Sequence, residues 1–194
     1  MAELKLTLPN SPDPELYHYY EGLKAREVYL NDDIDSFTVD LVGLPLKRMD
    51  EEDSTKPIKI YINSPGGSLV DGLIICDIIE NLKSPVEIIV LGYAFSMGAI
   101  ILMAGANKPN IKKKCYPFSI GLIHGGSNSL AGTSSQVKDF YKFQERLEDK
   151  VKKFVVERTK FTEEEYDKVH REELFMTAED MLEKGLVDEI IEQQ

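Results

Sequence analysis

The sequence predicts an α/β fold in which helices cover both faces of a parallel sheet. Residues 58–82 and 85–106 each have the pattern of a β-rich strand, a turn and an apolar helix, the order that builds βαβ units. The strands are predominantly apolar, which favours a sheet that is covered on both faces. A third observation is a long amphipathic pattern over residues 134–158.

The N-terminal region is predicted to carry little of the core. Three prolines interrupt residues 1–16, so this segment is predicted to be a mobile arm. Val28–Asn31 has the pattern of a short strand, and residues 35–49 have mixed helical spacing.

The central elements follow in strict alternation. The pattern predicts, in order, a strand over 58–62, a turn over 63–67, a helix over 68–82, a strand over 86–91, a turn over 92–96 and a helix over 97–106. Another strand is predicted over Ser119–His124 and a loop over Asn128–Thr133.

The helix predicted over Ser134–Arg158 is longer than one domain needs. At about 1.5 Å per residue it would exceed 35 Å, so it packs either on another subunit or along the surface of its own domain. Beyond it, Thr177 and Asp180 form a capping pair, Gly185 suits a helix end, and a strand is predicted over 186–191. Residues 17–194 are therefore predicted to form one domain.

Composition excludes several function classes. The chain has 194 residues, 42% hydrophobic and 29% charged, with a net charge of −11, so binding to nucleic acid or an anionic membrane is not expected. Cys76 and Cys115 form no disulfide framework or metal cluster, and we expect no metal or cofactor. No signal peptide or membrane-spanning run is apparent, which predicts a cytoplasmic protein.

The turn Asn63–Ser68 is the first candidate for chemistry. Gly66 and Gly67 stand between a strand and a helix, where glycine allows close backbone approach and the following amides can stabilise an anion or oxyanion. A phosphate-binding loop is a rival interpretation, although neither common phosphate-loop motif is present. The third interpretation is a tight turn without a chemical role.

Ser96 and His124 are the second and third candidates. Ser96 lies on a strand-to-helix turn, which suits a nucleophile but also suits a simple helix cap. His124 ends an apolar strand before Gly125-Gly126 and could act as the general base for Ser96. The other two histidines, His18 and His170, lie in polar surroundings. Several carboxylates between Glu163 and Glu173 could orient the imidazole, so the acid stays open at this point.

Six short motifs together resemble ClpP, the proteolytic subunit of the Clp protease. The similarity extends over about residues 20–191. The motifs are Tyr61-Ile-Asn-Ser-Pro-Gly-Gly67, Phe95-Ser-Met-Gly-Ala99, Ala104-Gly-Ala106, Leu122-Ile-His124, Phe175-Met-Thr-Ala-Glu179 and Gly185-Leu-Val-Asp188.

The resemblance implies a crotonase-like, ClpP-type α/β fold of stacked ββα units with a handle helix near residues 134–158. It implies a serine endopeptidase that hydrolyses unfolded proteins inside heptameric rings, single or stacked in pairs, supplied by an AAA+ unfoldase. By position, Ser96 matches the nucleophile, His124 the base and Glu173 the acid. The amides of Gly67 and Met97 match the oxyanion hole.

The chain departs from the family pattern at four places. Glu173 stands where the family has aspartate, so Glu172 is an alternative acid, and Gly125-Gly126 replaces Gln-Pro after the histidine. The segment Asn107–Lys114 is about three residues longer than in the family, and Lys114 falls near a position that is normally apolar in the family's unfoldase-docking pocket. The N-terminal arm also differs from the family's axial loop, so standard unfoldase docking is questioned.

Two alternative functions remain from the sequence. Glu173 in place of aspartate suits a catalytically weak or inactive ring subunit that partners an active homologue. A crotonase-type acyl-CoA enzyme would share the scaffold and the two-amide oxyanion hole. It would need one or two acidic side chains, but no acidic pair stands in the loops after Gly67 or Gly98.

Overall fold

The computed structural model describes residues 13–126, 131–169 and 171–192. Its mixed α/β architecture confirms the predicted fold class. The strands are β1 (Glu27–Leu30), β2 (Ile58–Ser64), β3 (Val86–Phe95), β4 (Ile111–Cys115), β5 (Ile120–Ile123), β6 (Leu174–Met176) and β7 (Glu189–Ile190).

Eight α-helices surround the sheet within the described residues. They are α1 (Pro14–Ala25), α2 (Ser36–Thr38), α3 (Leu44–Glu52), α4 (Leu69–Asn81), α5 (Met97–Leu102), α6 (Ser134–Arg158), α7 (Glu163–Val169) and α8 (Ala178–Lys184). A π-helical segment, Val39–Gly43, joins α2 to α3. No described helix is long and apolar enough to cross a membrane.

The sheet is parallel except at one edge. Strands β1, β2, β3, β4 and β7 lie side by side in that order, all parallel. The long strand β3 pairs with β4 along its first half and with β5 through its last three residues. Strand β6 then pairs antiparallel with β5. This branching places the end of β5 beside the end of β3.

The core lies between the sheet and the helices α4 and α5. The inward isoleucines of β2, Ile58, Ile60 and Ile62, are fully buried, and every residue of α5 is buried. The opposite face of β1 and β2 is half exposed, with Tyr29 stacked on Tyr61. The expectation that both faces are fully covered is therefore wrong at this edge, where Tyr29 stays 45% exposed although Gly22 of α1 lies beside its ring.

Several boundaries differ from the predicted ones; β2 extends to Ser64, for example, and β7 covers only Glu189–Ile190 of the predicted strand 186–191. Strand β3 continues to Phe95, through the predicted turn 92–96, because its last residues pair with β5. Helix α5 ends at Leu102 rather than 106. Strand β4 occupies the second half of the segment Asn107–Lys114, in which the sequence predicted no strand.

The two ends of the described chain are anchored by caps. The predicted arm, residues 1–16, lies mostly outside the described residues, and α1 begins at Pro14 after the Asp13 cap. At the other end, the capping box of Thr177 with Asp180 and the left-handed Gly185 cap are confirmed.

Helix α6 has the predicted bounds and begins at a capping box of Thr133 with Gln136. Its second half packs on the domain through the buried Val151 and Val155. Its first half carries exposed aromatic side chains, Phe140, Tyr141 and Phe143. The predicted loop 128–133 lies partly outside the described residues.

Candidate active site

The topology brings three strand ends to one place. Gly66 and Gly67 follow β2, Ser96 follows β3 and His124 follows β5, and parallel strands end at the same edge of a sheet. Because β6 runs antiparallel to β5 and pairs Leu174 with Ile123, the residue before β6, Glu173, comes next to His124. Two strand registers thus assemble residues that are far apart in the sequence.

Ser96 has a strained backbone at the end of β3. Its φ of 52° and ψ of −120° are uncommon for a residue with a side chain, and such strain persists only where neighbouring contacts impose it. The Ser96 amide donates to the Leu122 carbonyl at 2.8 Å. The side chain makes no capping hydrogen bond, which argues against the interpretation of Ser96 as a simple helix cap.

The two glycines are required by close backbone contacts of this turn, of Gly66 with the end of β3 and of Gly67 with Ile34. A Cβ atom on Gly66 would lie 2.7 Å from the Ser96 Cβ and 3.0 Å from the Met97 nitrogen. A Cβ on Gly67 would overlap the Ile34 carbonyl, and both glycines have positive φ. The turn therefore supports the serine elbow through direct backbone contact.

A hydrogen-bond clamp fixes this turn. The Ile34 amide donates to the Gly66 carbonyl at 2.8 Å, and the Ser68 amide donates to the Ile34 carbonyl at 2.7 Å. The buried Ser64 hydroxyl donates to the Asp32 carbonyl at 2.7 Å and accepts from the Gly66 amide at 3.1 Å. Sequence reasoning missed the roles of Ile34 and Ser64, because nothing local to either residue indicates its partner.

Two amides remain available beside Ser96. Among the described residues, neither the Gly67 nor the Met97 amide hydrogen has a protein acceptor. Gly67, Ser96 and Met97 all line one cavity. Fixed N–H donors beside a nucleophile can stabilise the oxyanion of a tetrahedral intermediate.

His124 and Glu173 are brought together more loosely. The His124 Nδ1 lies 3.9 Å from the Glu173 Oε1, which is longer than a hydrogen bond. The Glu173 side chain is 62% exposed and the His124 side chain 28%. Within the described part of the chain, the alternative acid Glu172 forms no ion pair with His124.

The other reactive side chains lie elsewhere. His18 is exposed on α1 against Tyr17, and His170 lies outside the described residues. Cys76 and Cys115 are free and buried. Burial raises the pKa of the Cys76 thiol and raises the pKa of Cys115 to about 11, so neither is a thiolate nucleophile near neutrality. No group of metal-ligating side chains occurs among the described residues.

The cavity beside Ser96 has a volume of about 450 Å³. His124 and Ile123 line it, and helix α6 contributes Gln144, Glu148 and Val151 to the lining. A strained serine after a strand, two available amides and a histidine beside a carboxylate are together typical of serine hydrolases.

The comparison with protein families agrees with this class. The family model described as Clp protease matches residues 12–194. The chain therefore belongs to the Clp protease family, which confirms the resemblance drawn from the six motifs. The ClpP-type fold and a general serine peptidase activity follow at the level of the family.

Proposed function

We propose that the chain is a serine endopeptidase whose nucleophile is Ser96, whose base is His124 and whose orienting acid is Glu173. The observation that carries this proposal is the strained Ser96 elbow, packed on Gly66 and flanked by the available amides of Gly67 and Met97. Backbone strain of this kind is retained where it serves a function.

In the first half-reaction, the Ser96 hydroxyl attacks the carbonyl carbon of the scissile peptide. The His124 Nε2 takes the hydroxyl proton, and the carbonyl electron pair moves onto oxygen. The amides of Gly67 and Met97 donate to that oxyanion. Losing one such donor typically costs about 3–4 kcal/mol of barrier. Collapse of the intermediate breaks the C–N bond, and the His124 proton goes to the leaving amine.

In the second half-reaction, water replaces the amine. His124 takes a proton from the water as its oxygen attacks the acyl carbon, and the same two amides hold the second oxyanion. The Ser96 oxygen leaves and takes the proton back from His124. The products are a carboxylic acid and the regenerated enzyme.

Glu173 acts on His124 rather than on the substrate. A carboxylate on the Nδ1 side keeps the proton on Nδ1, leaves Nε2 as the acceptor and stabilises the imidazolium that forms. At 3.9 Å the two groups are within ion-pair reach, and the contact can shorten when substrate binds, because catalytic hydrogen bonds in empty sites are often long.

Self-association into heptameric rings, single or stacked in pairs, is part of the proposal. Phe140, Tyr141 and Phe143 are exposed on the first half of α6, and an exposed apolar cluster of this kind is typical of an interface. Native mass spectrometry should show stacked rings for the wild type and single rings for Phe143→Glu. Unchanged stacking in that variant would contradict a role for α6 between rings.

Charge on β4 disfavours the docking of a standard AAA+ unfoldase. Lys114 lies on β4 and pairs with Glu87 at 2.8 Å and with Glu189 at 3.6 Å. These ion pairs put charge at a position where the resemblance implies an apolar docking pocket. We therefore propose peptide and unfolded-protein hydrolysis without a requirement for a standard unfoldase.

The hydrolysis test uses a fluorescently labelled unfolded protein as substrate. Wild type and Ser135→Ala, which changes an exposed serine at the start of α6, should release fluorescence equally, whereas Ser96→Ala should release none. Equal rates for wild type and Ser96→Ala would overturn the proposal.

One observation favours the second candidate, a catalytically weak ring subunit. The Glu173 carboxylate is mostly exposed and lies beyond hydrogen-bond distance of His124. In that case an assembled wild type would show no hydrolysis alone and would gain it only with an active homologue. The acyl-CoA alternative has no such support, since the family match is to a protease.

A further inference from the structure

Ser64 is a fully buried residue at the end of β2, just before the turn that carries the Gly67 amide. Its hydroxyl donates to the Asp32 carbonyl at 2.7 Å and accepts from the Gly66 amide at 3.1 Å. One side chain thus ties the loop before α2 to the turn. Ser64 is not among the residues that line the cavity, so any effect on the reaction passes through its neighbours.

The end of β2 needs such a tie because the strand pairing is irregular there. Ile62 pairs with Val90 in the parallel ladder between β2 and β3. The next pair is Ser64 with Ala94, so β2 advances by two residues where β3 advances by four. A ladder that is disrupted in this way holds the strand end less firmly, which leaves the side-chain hydrogen bonds of Ser64 to fix it.

The other half of the oxyanion hole packs against the same residue. Gly98 lies in the first turn of α5, directly after Met97. A Cβ added to Gly98 would meet the Ser64 carbonyl oxygen at 3.1 Å and the Ser64 hydroxyl oxygen at 3.7 Å. A Cβ added to Gly66 would lie 3.0 Å from the Met97 nitrogen. Ser64 and the turn that it holds are therefore packed on the backbone that carries the second donor.

We propose that Ser64 is a positioning residue of the oxyanion hole, and that its hydroxyl sets the Gly67 amide relative to the Met97 amide so that both reach one oxygen. The inference rests on the proposed peptidase function and goes beyond it. It assigns to a buried side chain, which neither substrate nor nucleophile touches, the alignment of two donors from different strand ends.

The alignment matters more in the transition state than in substrate binding. Donors of an oxyanion hole act at about 2.7–3.1 Å from the position of the oxyanion rather than of the ground-state carbonyl oxygen. Without the Ser64 hydroxyl, the buried Gly66 amide loses its partner and the turn relaxes. A displaced Gly67 amide then weakens an interaction that is strongest in the transition state, which lowers kcat and leaves KM nearly unchanged.

The test compares two buried serines with the same hydrogen-bond pattern. Ser119, before β5, also donates to a carbonyl, that of Val90 at 2.9 Å, and accepts from an amide, that of Tyr116 at 3.1 Å. Ser119→Ala therefore removes the same kinds of hydrogen bond outside the turn. With a fluorogenic peptide, Ser64→Ala should lower kcat about tenfold and leave KM within about twofold. Ser119→Ala should leave both at the wild-type values.

A wild-type kcat in folded Ser64→Ala would overturn the inference, and so would an equal fall of kcat in Ser119→Ala. Ser64→Cys decides the question if Ser64→Ala does not fold. It keeps a side chain of similar shape, but a thiol is a weaker donor and acceptor than a hydroxyl. Its kcat should lie below that of the wild type, with KM unchanged. A wild-type kcat in folded Ser64→Cys would contradict the positioning role.

Hydrogen–deuterium exchange separates this inference from the proposed function, because it requires no hydrolysis. The amides of Ser68 and Ser96 both donate to backbone carbonyls, and each is next to one of the two donors. In the full-length protein, Ser64→Ala should speed exchange at both amides by at least about threefold, and Ser119→Ala at neither. That result supports the inference even if the wild type hydrolyses nothing. Unchanged exchange at Ser96 in folded Ser64→Ala overturns it even if Ser96 is an active nucleophile.

Discussion

The two sides of the candidate site are built in different ways. On the nucleophile side, backbone contacts among Gly66, Gly67 and Ser96 determine the geometry, and the Ile34 clamp holds it. On the base side, a half-exposed His124 faces a mostly exposed Glu173 across 3.9 Å. The first side is held by the packing of the sheet, whereas the second depends on two side chains with rotamer freedom.

The two sides therefore suit different tasks: the backbone side positions the oxyanion hole, and the side-chain side orients His124. An oxyanion hole made of backbone amides needs no reorganisation during reaction, so the rigid side suits that task. The orientation of a histidine by a solvent-exposed carboxylate is weak in water and can tighten when substrate excludes solvent. We therefore expect changes at the glycines of the rigid side to lower the stability of the fold, and changes at the side chains of the loose side to lower the rate of hydrolysis.

The largest expected effect is that of His124→Ala, which removes the base from the loose side. Hydrolysis should fall by at least about 10⁴-fold, because an unassisted serine hydroxyl is a weak nucleophile. Steady-state peptide hydrolysis measures this loss, and His18→Ala, an exposed change on α1, is the matched control. A loss below tenfold in folded His124→Ala would contradict its assignment as the base.

The second largest effect comes from the rigid side. Gly67→Ala should cost at least about 2 kcal/mol of unfolding free energy, since alanine is strained at this φ and its Cβ overlaps the Ile34 carbonyl. Chemical denaturation measures the cost. Gly126→Ala, whose added Cβ meets nothing within 4 Å, should leave stability unchanged. Equal stabilities for the two variants would contradict the backbone clamp.

A smaller effect is expected from the acid. Glu173→Gln should lower kcat by about 10- to 100-fold, less than for a buried triad acid, because this carboxylate is 62% exposed. Glu172→Gln should change kcat by less than about twofold and serves as the control, measured on the same peptide. The reverse order of the two effects would assign the acid to Glu172.

The sequence predicted the rigid side better than the loose side. Gly66-Gly67 and Ser96 belong to strand-turn-helix units, so local pattern places them at strand ends. Glu173 could not be separated from Glu172 by pattern, because its place depends on the antiparallel register of β6 with β5. The resemblance, rather than the spacing, supplied that assignment.

Strand β4 and the buried position of Tyr166 could not be predicted, because both lie in strongly charged segments. Strand β4 contains three consecutive lysines, which is not a typical strand pattern. Lys113 is nevertheless buried there, and its ammonium donates to the Gly185 carbonyl at 2.8 Å and lies near Asp188. Tyr166 lies in a strongly acidic run that predicts a solvated face, although it packs into the cavity wall. In both cases the tertiary partner comes from a distant segment, and a local pattern carries no signal for it.

The smallest expected effect is a change of Tm caused by substituting Asp35, which lies next to the hydrogen-bond clamp. The Thr38 amide lowers the pKa of Asp35, the residue after Ile34, below its usual 3.8. A carboxyl group whose pKa is lower in the folded state stabilises the fold at pH values above its unfolded-state pKa. That stabilisation is lost as the pH falls through its folded-state pKa. Asp35→Ala should therefore lower the Tm by about 2–4 °C at pH 7.

That Tm difference should shrink as the pH falls below about 4, where the wild-type carboxyl is protonated as well. Differential scanning calorimetry at several pH values measures it. A Tm difference that stays constant down to pH 2 would contradict a contribution from the ionised Asp35.

The central claim is that the fold holds Ser96 as an activated nucleophile, and covalent labelling tests it most directly. The pure assembled protein is treated with a fluorophosphonate, and intact mass is measured beside Ser96→Ala. We predict one adduct per wild-type chain and none on the variant, which would also exclude an inactive subunit. No adduct on the folded, ring-assembled wild type would contradict the claim.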